Sequence, residues 1–422
     1  MLNIYKINSY IVSKISKKSI NDFFIPYKEQ KNILEEIYKG DFDGTYFSRS
    51  YCQYLCQKKI HKQNYWFLNF LSFFIIKFLI IFFKFFPKKI IKKEKINVIY
   101  FGIEKTIPKK FFRYKMKKFE NHFFLTEEDM KYFKMNILKK SKRQYYFALK
   151  ILLKIAIYRY NIEKYLPRIF LVTSEYSWTS SILTEFCEKN KILHINYMHG
   201  DKKYYIRDSF FKFHKCYIWD KFFEEIFCEL KAFEKQFKVI EYSSFIPKIE
   251  IKEKLYNTYY LQADETAEDI NKIIKILKDL ELKTGYIGKI RCHPVYTSQR
   301  IKKVIPIEML DLEKNIYYSI GMSNYIISKT STVLYEAYIM GSNSIVIDDV
   351  TQDKKTYYYL NDIIAKLATK ADYDQPTKME LNVDGNKLYY FVGFPKEYGA
   401  NIPSWVEFEI FERKFKDGLA LR

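Results

Sequence analysis

Short apolar runs alternate twice with amphipathic stretches from residue 96 onward, and this alternation restricts the fold more than any other feature. The runs 96–101 (INVIYF, closed by Gly102), 168–173 (RIFLVT), 194–197 (HINY) and 216–219 (CYIW) are apolar without strict polar alternation. Such runs suit strands covered on both faces, as in parallel sheets. Between them, Ile182, Leu183, Phe186 and Cys187 share a helix face, and the basic segment 109–165 is mostly helical by pattern. A Pro- and Lys-containing stretch, 243–254, breaks the rhythm and marks a domain boundary. The alternation then resumes with strands expected at 258–262, 286–290, 324–327 and 344–348. A helix with Ile270, Ile273, Ile274, Leu277 and Leu280 on one face lies among them, and another runs to Met340 and ends at Gly341. The expected fold is α/β, with two Rossmann-like domains facing a cleft, 96–242 and 255–350. An N-terminal region, 1–95, precedes them, and a tail, 351–422, could complete either domain. A chain of 422 residues is long enough for two cores.

Composition bounds the function less than the fold, because 39 Tyr and 37 Phe against 12 Gly look like the codon habit of an AT-rich genome. A hydrophobic fraction of 48% excludes global disorder. The net charge of +23 reads either as Lys-rich solvated faces or as attraction to polyanions. An anionic membrane surface and an anionic donor and acceptor are the expected partners; no nucleic-acid module is recognisable, so nucleic acid is not one. Six cysteines at irregular spacing, with no Cys-x-x-Cys pair, indicate neither a zinc site nor a disulfide framework. Cys52 and Cys56, four apart, read as core packing on one helix face. The first residues lack a signal peptide's apolar run, and a cytoplasmic protein is expected.

The most apolar stretch is 65–86, ended by Pro87 and followed by the basic run 88–93. A lysine near its middle, Lys77, would cost about 2.5–3.5 kcal/mol at a bilayer centre. On a helix Asn69, Lys77 and Lys84 fall on one side, opposite an aromatic face. The reading is an amphipathic helix lying peripherally on the inner face of the plasma membrane, its basic run on anionic headgroups. A buried core helix and a true span are the alternatives. Upstream, Asp41-Phe42-Asp43-Gly44 matches the Asp-x-Asp metal motif of some glycosyltransferases but lacks a preceding buried strand. It reads as a surface turn, and no metal is expected.

Three constellations fall at strand ends, where doubly wound sheets hold their ligands. Met198-His199-Gly200-Asp201-Lys202 follows the strand through Tyr197; His199 suits a base that deprotonates an acceptor hydroxyl, with Asp201 orienting it or acting in its place. Arg291-Cys292-His293-Pro294 follows a second-domain strand. There Arg and His at i and i+2 point the same way and suit a departing phosphate, while Pro294 keeps the segment extended. Ser328-Lys329-Thr330-Ser331-Thr332 precedes a helix. Hydroxyls and backbone N–H groups at that start suit an anion, though Thr330 or Ser331 would cap the helix in any case. Glu336, one turn in, suits a ribose hydroxyl or a partly exposed helix surface.

Together, the His-Gly, Arg-x-His-Pro and Ser/Thr-then-Glu motifs resemble a group of bacterial surface-polymer transferases. The group includes the CDP-glycerol glycerophosphotransferases of teichoic acid synthesis, the capsule Kdo transferases, and the sialyl- and polysialyltransferases. The resemblance covers roughly residues 168–349. It implies a GT-B fold, a cytidine nucleotide donor and inverting, metal-independent transfer without a cofactor. It carries His293, Ser328, Thr330 and Ser331 onto the donor phosphate and His199 onto the base. The chain departs from the group in two places: it lacks the acidic-acidic-Gly motif of sialyltransferases, and its His-Gly continues with Asp-Lys rather than Thr-Pro. The implied function is a glycosyltransferase of capsule or lipooligosaccharide synthesis. It would move a sialic acid- or Kdo-like sugar from a cytidine nucleotide to a growing glycan or lipid-linked acceptor. The alternatives are transfer of polyol phosphate from a CDP-polyol, and a non-catalytic membrane-surface assembly or export protein.

Overall fold

The computed structural model describes residues 27–61, 64–83, 91–102, 107, 109–198, 200, 202, 204–219, 221–240, 253–262, 265–294, 297–328, 331–333, 336–337, 340, 343–348, 377–383 and 386–393. The chain divides into two compact units, Met1–Val239 and Ile240–Arg422.

In the first unit, β1 (Val98–Phe101), β2 (Met116–Lys118), β3 (Ile169–Val172), β4 (Leu193–Tyr197), β5 (Lys215–Ile218) and β6 (Phe237–Val239) form one sheet in the order β2-β1-β3-β4-β5-β6. Every pairing in it is parallel. The expected strands are present, and β3 is buried along its whole length, as its apolar run requires. The strand β2 lies inside a segment that reads as helical. Its Met-Lys-Lys sequence has no strand pattern because it occupies a sheet edge, half exposed, and pairs with β1 alone.

Five longer helices pack in this unit: α1 (Tyr27–Asp41), α2 (Tyr46–Ile60), α3 (Tyr65–Phe82), α5 (Tyr145–Tyr165) and α6 (Ser180–Lys189), with a short α4 (Glu127–Tyr132) ahead of α5. The helix α7 (Lys221–Glu229) joins β5 to β6. Asp43 accepts from both the N–H and the hydroxyl of Thr45, which itself caps α2, so the Asp-x-Asp segment is a capping turn. The interior of α2 belongs to the core, with Cys52, Gln53, Tyr54 and Cys56 fully buried. Arg49 on the same helix donates to the Phe210 and Lys231 carbonyls, 3.3 and 3.1 Å away. Both carbonyls belong to residues held at positive φ, so α2 braces two strained turns of this unit. The aromatic helix α3 is one-sided: Leu68, Ser72, Ile76 and Leu79 are buried. Its Asn69 faces the protein, donating to Gln144 at 3.2 Å and accepting from the Tyr146 N–H at 2.9 Å. The expected polar stripe therefore splits, with Asn69 on the packed side and Lys77 exposed; Lys84 lies outside the described residues. A buried core helix does not describe α3, which is mostly uncovered.

The second unit holds β7 (Tyr256–Tyr260), β8 (Ile287–Arg291), β9 (Ser323–Ser328), β10 (Asn343–Asp348), β11 (Thr377–Val383) and β12 (Asn386–Gly393), ordered β8-β7-β9-β10-β12-β11. The first four are mutually parallel, and a β11–β12 hairpin adds antiparallel to β10. The tail segment at Tyr389 thus completes the second sheet. Between β7 and β8, α8 (Ala267–Thr284) opens with a capping box at Thr266 and Asp269 and ends on Gly285 at φ +77°. Its Ile270, Ile273, Leu277 and Leu280 are buried with Ile290 and Ile327, the face expected from the sequence. Short helices α9 (Gln299–Lys302) and α10 (Ile316–Met322) follow β8.

In both sheets the first strand of the parallel run sits between the second and the third. The chain winds one way from it and then crosses back, so each unit has a switch point, at β1/β3 and at β7/β9. Ligands of doubly wound sheets sit at such points, beyond the strands' C-terminal ends.

Candidate functional site

In the second unit, two of the three constellations converge on its switch point. Arg291 is the last residue of β8, Ser328 the last of β9, and Tyr260, the last of β7, lies between them. The Leu261 N–H donates to the Arg291 carbonyl at 3.0 Å, and the Ser328 hydroxyl donates to the Tyr260 carbonyl at 2.9 Å. One strand spacing is about 4.8 Å, so the segments leaving β8 and β9 start roughly 10 Å apart, across the end of β7. That separation suits a nucleotide's phosphate and ribose.

The side chains divide into structural and available groups. Ser328 is fully buried, so its hydroxyl fastens β9 to β7 rather than facing a ligand. The Arg291 guanidinium directs Nη1 to Asp311 at 2.7 Å and to the Glu313 carbonyl at 2.8 Å. Asp311 also accepts from Ser319 at 2.6 Å, and Ser319 pairs with the Tyr260 hydroxyl at 2.6 Å. Arg291 is thereby the first member of a network, Arg291–Asp311–Ser319–Tyr260, that fixes the loop after β8. Charge-assisted bonds of this kind are stronger and more directional than neutral ones.

His293 is half-buried just beyond that network, its N–H donating to the Thr297 hydroxyl at 2.7 Å. Burial holds its imidazole below the ordinary histidine pKa, so at neutral pH the ring is uncharged. Pro294 follows, exposed and trans, and keeps the chain off the helical path. After β9, Ser331 and Thr332 are half-buried. Ser331 accepts from the Val333 N–H at 3.3 Å, and Glu336 N to Thr332 O, at 3.1 Å, starts the helical turns. The capping expected of Ser331 is present, and Glu336 sits half-buried one turn in. Thr330 lies outside the described residues.

The third constellation belongs to the first unit. The Met198 N–H donates to the Tyr217 carbonyl at 2.9 Å, so β4 is held to β5 up to the residue before His199. Gly200 lies just past it, half-buried; His199 and Asp201 lie outside the described residues. Lys202, in the sequence merely the end of the string, is 7% exposed, and its ammonium pairs with the Glu175 carboxylate, which is fully buried. Burial alone would lower the Lys202 pKa, but the Glu175 and Asp208 carboxylates outweigh it and hold the pKa above the ordinary lysine value. Arg207 and Asp208, further along the same segment, form an ion pair at 2.9 Å, with the Asp208 carboxylate buried and the Arg207 side chain partly exposed. Gln53 of α2 donates to the Glu175 and Arg207 carbonyls at 2.8 and 2.9 Å, tying the segments after β3 and β4 to one helix. Pattern reading missed Glu175 and Asp311. The only sequence signal for either was an acid just after an apolar strand or loop, too common to be noticed.

Among the described residues no group of three or more His, Cys, Asp or Glu side chains is placed to hold a metal ion. No family model matches the chain, and no curated protein matches it. Solved structures with some likeness to it include the wall teichoic acid polymerase TagF, at 10% identity over 58% of this chain and 68% of that one, with a TM-score of 0.30. A histidine-to-asparagine form of TagF soaked with CDPG for 30 minutes is similar at 10% identity over 59% of this chain and 69% of that one, with a TM-score of 0.31.

Proposed function

We propose that this chain is a transferase that builds a bacterial surface polymer from a cytidine nucleotide-activated donor, with the donor phosphate held by the second unit. The observation that carries this reading is the placement of His293 and of Ser331–Thr332 beyond the C-terminal ends of β8 and β9, which flank β7 at one switch point. His293, uncharged and half-buried, is the proposed contact to a phosphate oxygen. The hydroxyls of Ser331 and Thr332, at the start of the helical turns after β9, are the further proposed contacts, helped by the helix dipole. Arg291 acts as a positioning residue through Asp311, and its positive charge still favours the leaving nucleotide. His199, or Asp201 beside it, takes the proton of the acceptor hydroxyl.

The donor is either a CDP-polyol, CDP-glycerol first among them, or a CMP-linked sialic acid- or Kdo-like sugar. Transfer of glycerol phosphate releases CMP; transfer of the sugar from its CMP-linked donor also releases CMP, so the product polymer distinguishes them. Calorimetry with CMP, CDP, UDP and GDP in the presence of a chelator tests the reading. A cytidine preference that weakens at least tenfold in His293→Ala is expected. Binding that ignores the base, or that is unchanged in His293→Ala, would sink the proposed donor site.

A further inference from the structure

Folding leaves one face of α3 uncovered. At about 100° per residue, the buried Leu68, Ser72, Ile76 and Leu79 occupy a single arc. The opposite arc presents Trp66 at 76% exposure, Phe70, Phe74 and Phe78 at 52% each, and Ile81 at 62%. The rings form a run along the axis, with Trp66 stacked on Phe70 at 5.8 Å and Phe70 edge-on to Phe74 at 5.0 Å. With roughly 200 Å² per aromatic side chain, the Trp and three Phe alone leave roughly 450 Å² in water. This is about the size of the largest apolar patch on a typical monomer, a patch that is often functional.

The charge around the patch selects its occupant. Between Asp43 and Glu94 the chain carries ten lysines and arginines and no acid. Lys77 lies within the exposed arc, its Nζ 5.6 Å from the Phe73 ring centre, and Lys92 and Lys93 are exposed beyond the helix. A second copy of the chain would bring these cations against themselves. An anionic lipid surface complements both the aromatic rings and the charge. The same geometry decides between lying and spanning. One side of α3 is packed on the folded unit and pinned through Asn69 to Gln144 and Tyr146, so only one arc is open to lipid.

We propose that α3 lies flat on an anionic bilayer, with Trp66, Phe70, Phe74 and Phe78 at the headgroup–acyl boundary and the flanking lysines on the phosphates. The face is independent of the donor site, so this inference stands or falls apart from the transferase reading. The test is co-sedimentation of the full chain with phosphatidylcholine vesicles and with vesicles containing one quarter phosphatidylglycerol. Binding to the anionic vesicles, weakened by high salt and at least tenfold weaker in Phe70→Ser/Phe74→Ser, is expected. Trp66 emission should be quenched more by a label high on the acyl chain than by one at its end, and Trp66→Phe should remove that difference. An unchanged thermal transition shows that the variants are folded. Failure to bind anionic vesicles, or full binding by the double variant, overturns the proposal. Equal quenching at both depths overturns the flat orientation. A dimer in light scattering that the same substitutions dissolve, without vesicle binding, would assign the face to a second copy instead.

Discussion

Glu175→Gln removes the counter-charge of a buried ammonium while leaving the packing volume almost unchanged. The Lys202 side chain is 7% exposed and Glu175 fully buried, so solvent cannot replace the lost carboxylate. Breaking a buried pair from one side costs about 3–5 kcal/mol, because the remaining charge stays desolvated. For a unit of this size each kcal/mol moves the midpoint by about 2–4 °C, so a drop of roughly 6–20 °C is expected. Three of the four tryptophans, Trp66, Trp178 and Trp219, belong to the first unit, and their emission reports its unfolding by urea or heat. The paired replacement Glu175→Met with Lys202→Met removes both charges and should recover most of the loss, since apolar substitutes for buried pairs are often neutral or better. A loss below about 1 kcal/mol in Glu175→Gln, or a double variant worse than the single one, would refute the reasoning. Either result would mean that Lys202 reaches water or another anion. Because Lys202 closes the segment that begins at Met198, the single variant should also lower transfer activity more than the nucleotide binding proposed for the other unit.

Two further outcomes follow from the first unit's core. His194 is fully buried, with Nδ1 2.8 Å from the Thr184 hydroxyl and Nε2 3.1 Å from that of Tyr158; burial, then the neighbouring His214, holds its pKa well below the ordinary value. The unfolded chain therefore binds the extra proton first, so stability is full above about pH 6.5 and falls as pH drops below it, by up to about 1.4 kcal/mol per unit. Urea titrations between pH 5 and 8 should show this slope, and His194→Gln should flatten it. At the end of β1, Gly102 sits at φ +143°, and a Cβ there would lie 2.9 Å from the Thr173 hydroxyl and 3.1 Å from that of Tyr197. Gly102→Ala should cost about 1–3 kcal/mol in the same titration; a neutral result would mean that the β1 end rearranges freely.

The legible part of this chain was the part written in patterns a backbone enforces. Apolar runs of four to six residues fixed eight parallel strands to within two residues at most of their ends, because a strand buried on both faces tolerates little else. The face of α8 was readable for the same reason, at the helical period. Where burial did not impose a pattern, reading failed. The strand β2 exists only through its pairing with β1, and the β11–β12 hairpin joins its sheet across 28 residues of intervening chain, 349–376. On the helix α2 only Cys52 and Cys56 signalled a core face, because the rest of its buried side is largely Ser, Arg, Gln and Tyr, types that reveal burial only through their partners.

The candidate site shows the same division at the level of single atoms. Sequence placed Arg291, His293 and Ser328 at strand ends, and the sheet puts them there, since position follows from topology. What each side chain does depends on neighbours distant in sequence. Arg291 meets an acid twenty residues on, and Ser328 meets a carbonyl sixty-eight residues back. A motif therefore told where chemistry gathers and overstated how many of its members touch a ligand. The half-buried residues His293, Ser331 and Thr332 are the ones on which the proposed donor site rests, while Arg291 and Ser328 hold the frame that presents them. In kinetic terms, substitutions in the first set should raise nucleotide dissociation with the fold intact. Those in the second should lower stability first and binding only as a consequence.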